Sequence, residues 1–237
     1  MKLIKEIKKY LRPVKKLFST EYKKTYSQAG EDIIVSGALK AMKIDNVRYL
    51  DIGAHHPSYL SNTYLFYKNG GSGVCIEPDP YLFKNIQKKR PKDICLNIGI
   101  GVNTESEADF YIMSARTLNT FSKSEAEKVS RETKYKIESK IKVPLKPVNE
   151  IIGEYFETTP NFISLDVEGL DMEILKSFDF NKYRPEVFCV ETITFTDDNS
   201  GEKEQDIIDF MILKGYFVFA DTHINTIFVD KDKWIKK

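Results

Sequence analysis

Val47-Arg48-Tyr49-Leu50-Asp51-Ile52-Gly53-Ala54-His55-His56-Pro57 is the stretch on which the reading of the chain turns. Residues 47–53 read as a buried strand that stops at an Asp-x-Gly, where the backbone can turn sharply beside a ligand. Four further apolar runs of strand length follow: 73–78, 93–100, 161–169 and 186–192. Between them lie stretches of helical period, 82–89, 148–156, 170–178 and 204–215. A helix bracketed at its start by Ser27 and Glu31 and running towards Met42 precedes them all. Strands alternating with helices, and apolar throughout, predict a parallel sheet covered on both faces.

The final residues break that rhythm. YFVFADTH (216–223) and NTIFVDKD (225–232) are nearly contiguous, and so short a link permits only an antiparallel hairpin. The expected fold is therefore α/β and Rossmann-like, mostly parallel with a C-terminal antiparallel hairpin. That order fits the class I methyltransferase sheet better than a dehydrogenase sheet. An insertion at about 103–143 falls between the third and fourth parallel strands, where loops border the ligand crevice of such sheets. It is expected to shape a substrate site, with part of it serving as plain structure.

Composition narrows the class. At 237 residues, with 41% hydrophobic and 30% charged, one soluble domain with extensions is expected, and disorder, collagen and silk are excluded. No apolar run reaches the roughly 18 residues of a membrane span, and the N-terminus lacks the features of a secretory signal. Cys75, Cys95 and Cys189 sit singly in apolar runs, as core thiols of a reducing cytoplasm do. A net charge of +1 argues against a nucleic-acid partner, but it conceals an asymmetry. Residues 1–18 carry seven Lys/Arg and one Glu, a net +6, which leaves −5 for the remainder. The first 20 residues thus read as a basic amphipathic helix, kinked at Pro13. It would either lie on a membrane at the inner face or pack on protein.

Three constellations carry chemistry. The first is Asp51-x-Gly53, where an aspartate can accept from a ligand amine. His55, His56 and Pro57 stand where a dinucleotide fingerprint would have glycines, which disfavours a pyrophosphate. The second is Glu77, 24 residues past Gly53 at the end of the second strand, placed to accept ribose hydroxyls. Pro78 and Pro80 make the chain leave the sheet at once. The third is Asp166 and Glu168, sent to one side by strand alternation, with Glu191 ending the adjacent strand. Such carboxylates suit either a hard divalent ion such as Mg or Mn, with Asp166 and Glu191 as ligands, or proton transfer without metal. His55 and His223 are candidate bases at the same rim.

Tyr26-Ser27-Gln28-Ala29-Gly30-Glu31-Asp32, Leu50-Asp51-Ile52-Gly53-Ala54-His55, Glu77-Pro78, Asn97-Ile98-Gly99 and Asp166-Val167-Glu168-Gly169 together resemble the FkbM-type methyltransferases. The resemblance runs from about Tyr26 to about Val229, within a domain taken as 21–237. It implies S-adenosylmethionine as cofactor and O-methylation of a hydroxyl on a sugar in a glycan or glycoconjugate, as in polysaccharide biosynthesis. By position it implies Gln28, Asp51 and Gly53 at the methionine end, Glu77 on the ribose and Asn97 near the adenine. Asp166 and Glu168 would face the transferred methyl group. His55-His56-Pro57 departs from members with Gly or Asn after Asp-Ile-Gly-Ala, and Leu118-Asn119-Thr120-Phe121-Ser122 resembles a substrate-loop segment of some members. Two rival readings share the sheet: an NAD(P)-linked oxidoreductase, and a non-catalytic glycan- or membrane-binding module.

Overall fold

The computed structural model of the chain describes residues 24–167, 169–193 and 201–235. The basic stretch 1–20 and Glu168 lie outside the described residues. A seven-stranded sheet has the order β3-β2-β1-β7-β8-β10-β9. Its strands are β1 Arg48–Ile52, β2 Ser72–Ile76, β3 Ile94–Leu96, β7 Phe162–Leu165, β8 Val187–Glu191, β9 Tyr216–Asp221 and β10 Asn225–Asp230. The first five run parallel, while β10 lies antiparallel to both β8 and β9. The expected sheet and its closing hairpin are both present. None of the helices among the described residues is long and apolar enough to cross a membrane.

Strand alternation distributes the core between two layers. Leu50, Ile52, Ile163, Leu165, Phe188 and Val190 face the helices Val148–Tyr155, Asp171–Ser177 and Gln205–Leu213. Tyr49, Phe162, Val187, Cys189 and Ile227 face the helices Glu31–Ala41 and Pro80–Lys89. Cys75 and Cys189 are buried and Cys95 is half-buried, all three as free thiols. From β1 the chain turns one way to β2 and β3 and later the other way to β7 and β8. The crevice therefore opens beyond the C-terminal ends of β1 and β7.

Three details differ from the sequence reading. The run 93–100 is broken: β3 ends at Leu96, and Gly99–Ile100 (β4) joins a second sheet of order β4-β6-β5. At the break the Asn97 side chain donates to the Glu77 and Pro78 carbonyls, both at 2.8 Å. The insertion reaches further than 143. It is a hairpin of β5 Glu107–Met113 and β6 Ile137–Lys146 carrying the helix Lys123–Glu132, with its own apolar clusters around Met113 and Phe110. A short helix, Tyr64–Lys68, follows β1 and buries Phe66 in the core, edge-on to Phe162.

Two constraints hold the crevice end together. Gly53 has φ +83°, and a Cβ there would lie 1.8 Å from the Asp166 carbonyl oxygen. The amides of Gly53 and Ala54 both donate to the Ile76 carbonyl, and the Asp166 amide donates to that of Ile52. The second constraint is Arg90, fully buried at the end of helix Pro80–Lys89. Its Nε donates to Asp93 at 2.7 Å, one Nη donates to Thr63 at 2.9 Å, and the other lies 3.6 Å from Asp51. The Tyr49 and Tyr67 rings flank the guanidinium at 5.4 Å. The Tyr49 hydroxyl donates to both Asp93 carboxylate oxygens, and the Gly73 amide donates to one of them.

Gly53→Ala combines a left-handed backbone with a main-chain clash, and should lose more than about 2 kcal/mol. Urea unfolding reads this, and an unchanged midpoint would show that the turn tolerates a side chain. Arg90→Met leaves Asp51 and Asp93 buried without their cation. A loss of about 3–5 kcal/mol is expected at pH 7. A loss below about 1 kcal/mol would contradict the network's role.

Candidate functional site

A cavity of about 590 Å³ occupies the crevice, within the range of sites that enclose a nucleoside-sized ligand. Its floor is formed by Gly53, His55, Glu77, Asp166 and Glu191, all at or just past the C-terminal ends of β1, β2, β7 and β8. Gln28 and His223 also line it, as do Phe110, Arg116, Leu118, Asn119 and Phe121 of the insertion. Seven of the residues singled out from the sequence are thus brought to one cavity: Gln28, Gly53, His55, Glu77, Asp166, Glu191 and His223.

Glu77 is buried, and each carboxyl oxygen accepts one backbone amide: Oε2 from His55 and Oε1 from Asp79, both at 2.8 Å. Burial is the chief influence on this group and pushes it up to about 8, against those two hydrogen bonds. Near neutral pH the carboxyl is therefore poised between its two states. Oxygens held by amides on one side and facing a cavity on the other fit vicinal hydroxyls as donors.

Asp166 ends β7 beside Glu191 on β8, as the register Leu165↔Val190 requires. The two side chains share a hydrogen bond. Burial pushes Asp166 up to about 6, against that hydrogen bond, and the charges of Asp51 and Glu31 add to the rise. Asp171, at the start of its helix, is buried with Oδ1 lacking a hydrogen-bond partner; burial and then the Asp166 charge push it up to about 8. A divalent ion at Asp166 and Glu191 does not fit this arrangement. The two carboxyls already hydrogen-bond each other, whereas a hard cation needs about six oxygens, and no group of three or more ligating side chains converges among the described residues.

The Ser27–Asp32 motif builds one wall. Asp32 accepts from the Thr25 and Ser27 hydroxyls and from the Tyr26 amide at 2.6–3.0 Å. Glu31 accepts from the Ala29 amide, and across the fold from Thr222 (2.7 Å) and Asn225 (3.2 Å). Burial works to raise the Glu31 carboxyl, but these hydrogen bonds outweigh it and hold it below the usual carboxylate range. The motif is thereby fastened to the β9–β10 turn, which sets Gln28 and His223 at the same cavity. His223 has φ 75°; its amide donates to Asp221, and its carbonyl accepts from Lys203. Burial first, then His56, hold the His55 imidazole below its ordinary value, against the nearby Asp79. His56 is occupied elsewhere, its Nδ1 accepting from the Ser58 and Tyr59 amides.

Two cofactor-binding expectations need correction. Asp51 faces away from the cavity, with Tyr49 on the other side of the sheet. There its carboxylate, 4% exposed, accepts from Thr63 and pairs with Arg90. Asn97 is not among the residues lining the cavity, and its Nδ2 donates to the Glu77 and Pro78 carbonyls. Both position the site without reaching it. Glu168 lies outside the described residues. The sequence reading missed Asp79 and Arg116. Asp79 was detectable as an N-cap before Pro80, and its Oδ1 does accept from the Tyr81 and Leu82 amides. Its tie to Arg116, 37 residues away, had no local signal.

Among curated proteins, none matches the chain. Solved structures similar to it include a TehB-like SAM-dependent methyltransferase from Corynebacterium glutamicum, with 10% identity and a TM-score of 0.43 over 94% of this chain and 97% of that one. A precorrin-6y C5,15-methyltransferase from Geobacter metallireducens shares 12% identity over 89% and 94% of the two chains, with a TM-score of 0.42. A 1,6-didemethyltoxoflavin-N1-methyltransferase from Burkholderia thailandensis, solved with S-adenosylhomocysteine, shares 8% over 86% and 79%, also with a TM-score of 0.42. The family model described as the methyltransferase FkbM domain matches residues 51–218, from β1 into β9. The match spans well over half of the 237 residues, and the chain belongs to the FkbM family of S-adenosylmethionine-dependent methyltransferases.

Proposed function

We propose that the protein is an O-methyltransferase acting on a hydroxyl of a sugar in a glycan or glycoconjugate. The observation that carries this reading is the Asp166–Glu191 pair, whose Asp166 carboxyl is pushed up to about 6, lining the same cavity as Glu77. Bound there, S-adenosylmethionine supplies an electrophilic methyl group on a sulfonium. Glu77 accepts the ribose hydroxyls, steadied by the His55 and Asp79 amides. Gln28 and Gly53 border the methionine end. The Phe110 and Phe121 rings, 4.7 Å apart, give the cavity an apolar wall suited to a sugar face.

The chemical task left to the protein is to place a hydroxyl oxygen in line with the methyl group and remove its proton. Positioning supplies much of the acceleration for such a displacement. The Asp166–Glu191 pair is placed to receive the proton, because Asp166 is buried and its carboxyl is pushed up only to about 6, which leaves it ionised at neutral pH without being strongly solvated. His55 and His223 line the same cavity and relay the proton outward to solvent.

Asp166→Asn should lower transfer at least about 100-fold while leaving S-adenosylhomocysteine affinity within a few-fold of the parent. For the parent at saturating S-adenosylmethionine, kcat should rise with pH through about 6 and level off above, because the proton acceptor is the deprotonated pair. Single-turnover transfer at near-parent rate by Asp166→Asn would remove the pair from the chemistry. The acceptor class is read by mass spectrometry of surface polysaccharides from cells with and without the gene. Loss of one methyl group per repeat is expected, and unchanged glycans would count against a sugar acceptor.

Glu77 yields a second outcome. Ribose donors favour its ionised form, so binding below its value of about 8 must release a proton, and affinity must climb with pH up to that value. S-adenosylhomocysteine should bind on the order of tenfold tighter at pH 8 than at pH 6.5. Calorimetry in buffers of different ionisation enthalpy detects the released proton. A Kd independent of pH, with no proton release, would place the ribose elsewhere.

A further inference from the structure

Asp79 is the point where three parts of the molecule meet. It is fully buried, yet it carries four donors: the Tyr81 and Leu82 amides on Oδ1 (2.8 and 3.3 Å), and Arg116 and Asn119 on Oδ2, the latter at 3.0 Å. Its own amide donates to Glu77 Oε1 at 2.8 Å. Asn119 is held from behind as well, its Oδ1 accepting from the Met113 amide at 2.8 Å on β5. The Arg116 guanidinium also lies 4.9 Å from the Tyr81 ring centre, at the first turn of helix Pro80–Lys89. A continuous chain of hydrogen bonds therefore runs from β5 of the insertion, through Asn119 and Asp79, to the carboxyl of Glu77.

The same turn forms part of the cavity wall. Arg116 and Leu118 end a single turn of 3-10 helix, and they line the cavity together with Thr117, Asn119 and Phe121. The wall that would meet an acceptor and the acid that would meet a ribose are thus fastened to one side chain. A buried carboxylate held by charge-assisted bonds of this kind is stable only while its donors stay in place, since losing one leaves it desolvated and short of partners.

We propose that Asp79, Arg116 and Asn119 form a latch that couples the insertion to the nucleoside-binding acid. Arg116 and Asn119 act as positioning residues, not catalytic ones. The proposal rests on the cofactor reading of Glu77 given above. Energetic coupling is reciprocal, so a nucleoside whose ribose fixes Glu77 steadies the turn 116–119, and whatever steadies that turn strengthens the hold on the nucleoside. A merely structural contact would stabilise the protein with and without ligand alike. A latch instead acts on the difference between the two states.

The test uses the full chain and S-adenosylhomocysteine. Arg116→Ala and Asn119→Ala should each weaken its Kd about tenfold or more, and Arg116→Lys should recover part of that loss. S-adenosylhomocysteine should protect the segment 103–146 of the parent from limited proteolysis, and this protection should be lost in both alanine variants. The ligand-induced rise in Tm should shrink in the variants more than the Tm of the empty protein falls. Parent-like affinity and protection in both alanine variants would overturn the latch alone. If the parent itself gave no binding heat, the cofactor reading and the latch would fall together.

Discussion

The active end of this molecule depends on how closely two backbones approach one another. Gly53 leaves β1 with a positive φ, directly against the carbonyl of Asp166 at the end of β7, in space no Cβ can share. That contact brings the loop after β1 back over β2, so that its amides meet the Ile76 carbonyl and the Glu77 carboxyl. It also sets the ends of β1 and β7 flush, which places Asp166 on the same floor as Glu77. Strand order alone would open a crevice here, as in any sheet whose connections reverse direction. The glycine lets the ends of the two strands approach closely around that crevice.

Electrostatics divide the buried acids into two groups. On one face of the sheet Asp51 and Asp93 have a buried cation, Arg90, and together these groups form the brace of that face. Glu77 and Asp166 at the cavity, and the buried Asp171 at the start of its helix, have no such partner among the described residues, and burial raises each of them towards or into the neutral range. Arg116 is the sole Lys or Arg among the described lining residues, and its charge is met by Asp79. The cavity is thus lined by carboxyl groups whose ionised forms burial disfavours. Such groups accept hydrogen bonds from hydroxyls and take up protons, the two tasks that the proposed methylation of an alcohol would set.

Much of the fold was legible because it rests on periodicity. The five parallel strands and the hairpin follow from apolar runs of strand length and from a link too short for a crossover. Asp166 and Glu191 could be paired in advance, because adjacent parallel strands ending at the same level must bring their last residues together. The break at Asn97 could not be foreseen, since nothing in DICLNIGI marks one residue as the anchor of a neighbouring loop. The wrong assignment of Asp51 has a similar cause. Alternation places Asp51 with Tyr49, but only the presence of Arg90 beneath the sheet decides that this face is a core and not a site.

The sequence by itself determined the sheet, its order of elements, the family, and most of the acids and glycines at the rim. Each of these depends on residue type and spacing within a few positions along the chain. The tertiary structure alone decided which polar groups face the cavity and which are spent on holding it. The ties of Glu31 to Thr222, of Arg90 to Asp51 and of Arg116 to Asp79 span 191, 39 and 37 positions respectively. Long-range pairs of this kind leave no local pattern, because their partners are chosen by the packing of the whole sheet.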